Sequence, residues 1–324
     1  MSADAERRSR LLAVKLRALV RDHLGGEQPG ESPQVFTPGA ALFTDSRTWV
    51  LIDGDATRGL GHALAWGLRH SRPLSILVER DSGLLARRVG YFDTEIEIWH
   101  VDDRALLPAI AEGHLPRIMP SAEHLAFSSL IESAGADVVV EHGVVAGEIR
   151  GLEICRVVDD PHRGETRLEV GLGAHDREAF AMVHGDLPTE EALGRVVDAV
   201  AVHRAVGADP HPLNRFGAER LMRWHALQNP ASIGFDSLVA AEPPVVRTNV
   251  KDAVPCVALG ERDGVPAVAV FAHGVDLDVV PFALDAAGRE GAHEAVVVLR
   301  SCDVVGVHDV MARLARLPVS VIRV

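Results

Sequence analysis

The sequence predicts an α/β protein in which two β-β-α-β-α-β units, near the two ends of the chain, flank a central α+β segment. Two observations carry this reading. Short apolar strands alternate with amphipathic helices, which is the pattern of a parallel sheet with helical crossovers. The same order of elements, at similar offsets, occupies residues 41–101 and again 256–324. On this division residues 1–34 are an N-terminal helix and linker and 35–107 the first α/β unit. Residues 108–242 are the central segment with extra helices, and 243–324 the second α/β unit.

Residues 4–24 read as a helix, with Leu11, Leu12, Val14, Leu16, Leu19 and Val20 mostly on one side. Arg7, Arg8, Arg10, Lys15, Arg17 and Arg21 surround the rest, as expected of a docking helix with a solvated basic face. Gly25 and Gly26 stop it, and a linker rich in Gly, Pro and Glu follows to Pro33. The first unit then reads as a strand at 41–44, a turn at 45–47, a strand at 48–53, a helix at 59–70, a strand at 74–79, a helix at 83–92 and a strand at 95–101.

The second unit repeats the order: strands at 256–260 and 267–271 around an Asp263-Gly264 turn, a helix at 277–288, a strand at 294–299, a helix at 304–317 and a strand at 319–324. Pro281 falls in a first helical turn, where a missing N–H costs little. The matched order suggests copies of one unit, and so small a sheet suggests that the copies pack together.

Composition narrows the function classes. The 324 residues are 47% hydrophobic, enough for a large core, and on usual domain sizes they divide into two or three compact units. Cys155, Cys256 and Cys302 are far apart and form no CxxC pair, which supports neither a disulfide framework nor a cysteine zinc site. Met1 precedes a polar, arginine-rich stretch and no run approaches about 18 apolar residues, so the expected setting is the cytoplasm, with no membrane partner. A net charge of -13 argues against indiscriminate binding to nucleic acid and leaves a protein partner open. Lysine occurs only at Lys15 and Lys251.

The central segment offers the clearest chemistry. A helix at 123–133 is followed by 137–141, by Gly151-Leu152-Glu153-Ile154-Cys155-Arg156-Val157-Val158, by a turn at 159–165 and by Thr166-Arg167-Leu168-Glu169-Val170-Gly171; another helix begins near Asp176. Over residues 121–186 this order resembles the restriction-endonuclease-like, PD-(D/E)XK superfamily: a helix, a three-stranded meander with acids on its second and third strands, then a helix. The resemblance implies a metal-dependent phosphodiesterase core holding Mg²⁺ or Mn²⁺ on carboxylates, with a lysine two places after the last acid to position water. Glu153 and Glu169 stand at the two acids, Glu132 on the preceding helix is a further metal ligand, and Arg156 or Arg167 is the available cation. Gly171 stands where the family has lysine, which implies a degenerate catalytic set. A second register pairs Asp137 with Glu148-Ile149-Arg150.

Other patterns are weaker. Asp53-Gly54-Asp55-Ala56-Thr57-Arg58-Gly59-Leu60-Gly61 is a Gly-rich turn between strand and helix, where α/β sheets bind phosphates, but it fits neither GxGxxG nor the P-loop. Its counterpart, Ala272-His273-Gly274-Val275-Asp276, lacks the same glycines. Among sixteen histidines, His175-Asp176 and His184-Gly185-Asp186 follow the Glu169 strand, without HExxH spacing. His211-Pro212-Leu213 opens a helix expected at 213–227, after one at 189–206. The functional expectation is a nuclease-like core, active or degenerate, against a noncatalytic binding or scaffold protein built on the paired α/β units.

Overall fold

The computed structural model describes residues 3–26, 32–67, 72–160, 164–173, 176–179, 187–247 and 254–324. Among the described residues the fold is mixed α/β with three sheets. By contacts the chain divides into two units, one of Met1–His114, Gly274–Val297 and Ser301–Arg323, the other of Leu115–His273, Val298–Arg300 and Val324. No helix among the described residues is long and apolar enough to cross a membrane.

Helix α1 (Ala3–His23) leads into β1 (Gln34–Phe36), β2 (Gly39–Phe43), β3 (Thr48–Ile52), α2 (Leu60–Gly67), β4 (Leu74–Val78), α3 (Ser82–Val89), β5 (Ile96–Asp102) and β6 (Ala105–Pro108). The six strands pair in sequence order. β2 and β3 are antiparallel, while β3, β4 and β5 are parallel neighbours, as helical crossovers require. Leu16, Leu19 and Val20 of α1 are buried with Leu42, Trp49, Leu51 and Leu77. Leu11 and Val14, expected on the docking side, are 61% and 67% exposed, because only the second half of the helix lies on the sheet's core.

The second unit opens with α4 (Ala122–Leu125) and α5 (Ser128–Ser133), where the sequence suggested one helix at 123–133. Four antiparallel strands follow: β7 (Asp137–Glu141), β8 (Val144–Ile149), β9 (Leu152–Asp160) and β10 (Glu165–Val170). The expected three-stranded meander is thus a four-stranded one. β8, rich in small residues, was not foreseen; the two-residue turns His142-Gly143 and Arg150-Gly151, all at positive φ, fold it back between its neighbours.

Residues 176–179 are helical, and α6 (Thr189–Arg204) and α7 (Ala218–Gln228) follow. The helix expected at 213–227 is divided into a 3₁₀ turn at Pro212–Arg215 and α7, because Gly217 is left-handed (φ 56°) where the chain passes the Gly151 carbonyl.

β11 (Ser237–Ala241), β12 (Cys256–Arg262), β13 (Val265–Phe271), α8 (Val279–Glu290), β14 (Glu294–Leu299), α9 (Gly306–Arg313) and β15 (Val319–Arg323) complete the chain, with strand order β11-β12-β13-β14-β15. The expected Asp263-Gly264 turn joins an antiparallel pair, β12 and β13. The run β12 to β15 has the element and strand order of β2 to β5.

Candidate functional site

The sheet β7–β10 has two chemically different faces. On one, Val145, Ile149, Leu152, Cys155, Val157, Leu168 and Val170 are buried with Ile131 of α5 and Leu193, Val197 and Val200 of α6. Because side chains alternate along a strand and cross-strand partners share a face, the other face collects the polar residues. Asp137 of β7 is paired with Glu148 of β8, and Glu148 with Glu153 of β9. Three carboxylates therefore lie in a row across three strands.

A bulge sets what stands beside them. The register passes from Glu148↔Glu153 to Gly147↔Cys155, leaving Ile154 without a partner. In a regular strand Glu153 and Arg156 would face opposite ways; the extra residue brings both to the charged face, and Arg156 donates through Nε and Nη2 to Glu153 at 3.0 Å each. Glu169 of β10 is paired with Arg156, so it joins the same face.

Helix α7 supplies further cations. Arg220, Arg223 and Trp224, at i, i+3 and i+4, share one helical face. Arg220 donates to both Glu148 and Glu141, and Arg223 donates to Glu141 at 3.1 Å and to the Val257 carbonyl at 3.2 Å. Trp224 Nε1 donates to Asp137 at 2.9 Å. Burial alone would raise the Glu141 pKa, but the two guanidinia outweigh it and hold the carboxyl at about 2. Asp137, with an indole rather than a cation as its donor, is raised by burial.

The structure brings together the two acids singled out in the sequence, but across an arginine. Arg177 donates through Nη1 to Glu153 and through Nε to Glu169, each at 3.3 Å. Arg247 donates to Glu153 at 2.9 Å, and Arg167 to Glu169 at 2.8 Å. Glu153 is buried, which opposes ionisation, yet Arg156, Arg247 and Arg177 keep its pKa below the usual carboxylate range.

Glu132 is exposed on α5, and among the described residues no group of three or more His, Cys, Asp or Glu is arranged to hold a metal ion. The residues present do not fit Mg²⁺ or Mn²⁺. A hard cation needs carboxylate oxygens directed at it, and those of Glu153 and Glu169 are bonded to guanidinia.

At Gly171 the backbone explains the glycine. Its φ is +136°, its N–H donates to the bulged Ile154 carbonyl at 2.7 Å, and a Cβ would stand 2.9 Å from the Arg177 nitrogen. In the second register Arg150 is engaged elsewhere, donating to the Arg204 carbonyl at 2.6 Å and lying over Trp224. The cations that sequence reasoning missed are Arg177, Arg220, Arg223 and Arg247. Only the Arg220-x-x-Arg223-Trp224 spacing offered a signal.

The Asp53–Gly61 turn is built for packing. Asp53 pairs with Arg8 at 2.6 Å, and Asp55 accepts the Thr57 amide at 3.0 Å. The Gly61 amide donates to Asp278 at 2.7 Å, and a Cβ at Gly61 would collide with the backbone of Leu277. An amide that a phosphate would need is therefore already taken by a carboxylate. Burial, with Asp276 nearby, pushes Asp278 up to about 7.

His175, His184, Gly185 and Asp186 lie outside the described residues. His211 accepts the Leu213 amide at 3.3 Å and stacks on His203. Cys155 and Cys256 are buried, and burial pushes both thiols up to about 12, so neither supplies a thiolate near neutral pH. Comparison of the chain with models of known families, with curated proteins and with solved structures gives no match.

Proposed function

We propose that the chain is a noncatalytic binding protein whose central segment is a nuclease-like core of degenerate type, with arginine holding the acids that would otherwise hold metal. The support comes chiefly from one observation: the Arg177 guanidinium lies between Glu153 and Glu169, donating to both. A cation fixed there opposes a second cation by charge and by occupying lone pairs. Gly171, needed by its own backbone, leaves no side chain to position water. We also read residues 41–101 and 256–324 as copies of one unit, on the strength of their shared strand order.

Calorimetric titration with Mg²⁺ and Mn²⁺ tests the proposal. The expected result is no saturable binding to the wild type, Glu153→Ala or Glu169→Ala. Saturable binding by the wild type that either substitution abolishes would restore the metal-dependent phosphodiesterase reading.

A further inference from the structure

The charged face encloses a small cavity. Its volume is about 60 Å³, and its lining includes Glu141, Glu148, Glu153, Arg156, Arg220 and Arg247. The three glutamates are held by five guanidinia, those of Arg156, Arg177, Arg220, Arg223 and Arg247. Four of the five arginine side chains are at least nine-tenths buried, so water screens their charges poorly.

Two donors on lining side chains, Arg220 Nε and Arg247 Nη1, are buried without a hydrogen-bond partner among the described residues. Buried donors in native proteins are nearly always satisfied, and a guanidinium N–H bonds most strongly to an acceptor that carries negative charge.

We propose that this cavity binds a phosphate-sized oxyanion, either free phosphate or the terminal group of a phosphate monoester. Pockets for drug-sized ligands start near 300 Å³, so a cavity of about 60 Å³ admits the anion and leaves a nucleoside outside. The two donors left over, Arg220 Nε and Arg247 Nη1, are directional N–H groups, which suit the oxygens of a tetrahedral anion better than a spherical halide. The inference deepens the binding-protein reading and rests on it.

The test uses the full chain, with thermal unfolding and the ³¹P linewidth of inorganic phosphate as independent readouts. Against chloride at equal ionic strength, saturating phosphate is expected to raise the melting temperature by about 5 °C and to show an exchange-broadened ³¹P line. Arg247→Met is expected to abolish both effects. Arg156→Gln, at a side chain one-quarter exposed and so the safer variant to fold, is expected to weaken them at least tenfold in affinity. Equal behaviour in phosphate and chloride, or phosphate effects unchanged in both variants, would overturn the proposal.

Short oligonucleotides with a 5′-phosphate or a 5′-hydroxyl separate the sources. Displacement by the phosphorylated form alone assigns the site to a monoester end, and displacement by neither assigns it to free phosphate. If phosphate and divalent ions both fail to bind, the cavity proposal falls and the noncatalytic reading stands. Divalent binding that Glu153→Ala abolishes removes that reading itself.

Discussion

Arg220 holds two carboxylates, Glu141 and Glu148, and is itself 2% exposed. Removing it leaves two acids short of their main cation in a poorly solvated place, which costs more than the intact pair contributes over an apolar substitute. Arg220→Met is expected to destabilise by about 3–5 kcal/mol in urea unfolding, whereas Arg195→Ala, at an exposed pair with Glu191, should change stability by less than ~0.5 kcal/mol. Asp278 gives a prediction of opposite sign. Its folded pKa, about 7, lies above the ordinary 3.8, so between these values the folded state binds more protons and its stability falls as pH rises. Asp278→Asn keeps an acceptor for the Gly61 amide without the charge. It should gain a few kcal/mol over the wild type at pH 8 and almost nothing at pH 4, read from urea midpoints at both pH values; an equal difference at both would reject the assignment.

At the scale of elements, the Gly171 turn ties β10 to the bulge in β9 through the Ile154 carbonyl. Gly171→Lys would supply the side chain that the resembled superfamily has there, but at φ +136° only glycine is unstrained. The expected outcome is a loss of about 1–3 kcal/mol in thermal or urea unfolding and no gain of hydrolysis. Strands β2–β5 and β12–β15 are legible because short apolar runs, several of them buried along nearly their whole length, alternate with helical stretches, and Asp263-Gly264 announces its turn by composition. β1, β6 and β11 were not, since each is short or lies at a sheet edge with one pairing neighbour, and little apolar patterning is required of it. Glu153 and Glu169 were found from their strands. Their arginine partners were not, because Arg177 and Arg247 lie 24 and 94 residues from Glu153, and the bulge reverses the parity by which Arg156 would have been assigned to the opposite face.

At the scale of the whole molecule, the buried charge network links stability to acid. Glu141 is held at about 2 and Glu153 below its usual range, so their contribution is complete above the unfolded-state value near 4.5 and is lost as pH falls toward 2. Circular dichroism should show the wild type unfolding in that window, and Arg220→Met, which depresses Glu141 less, should show a shallower acid dependence. The net charge of -13 adds long-range repulsion against any polyanion. The central proposal is that Glu153 and Glu169 are committed to arginine and do not support phosphodiester hydrolysis. Its most direct measurement is cleavage of single-stranded DNA, double-stranded DNA and RNA by the wild type and Glu153→Ala, with Mg²⁺ or Mn²⁺ present. No cleavage above the protein-free control is expected for either protein; metal-dependent cleavage by the wild type that Glu153→Ala abolishes would contradict the proposal.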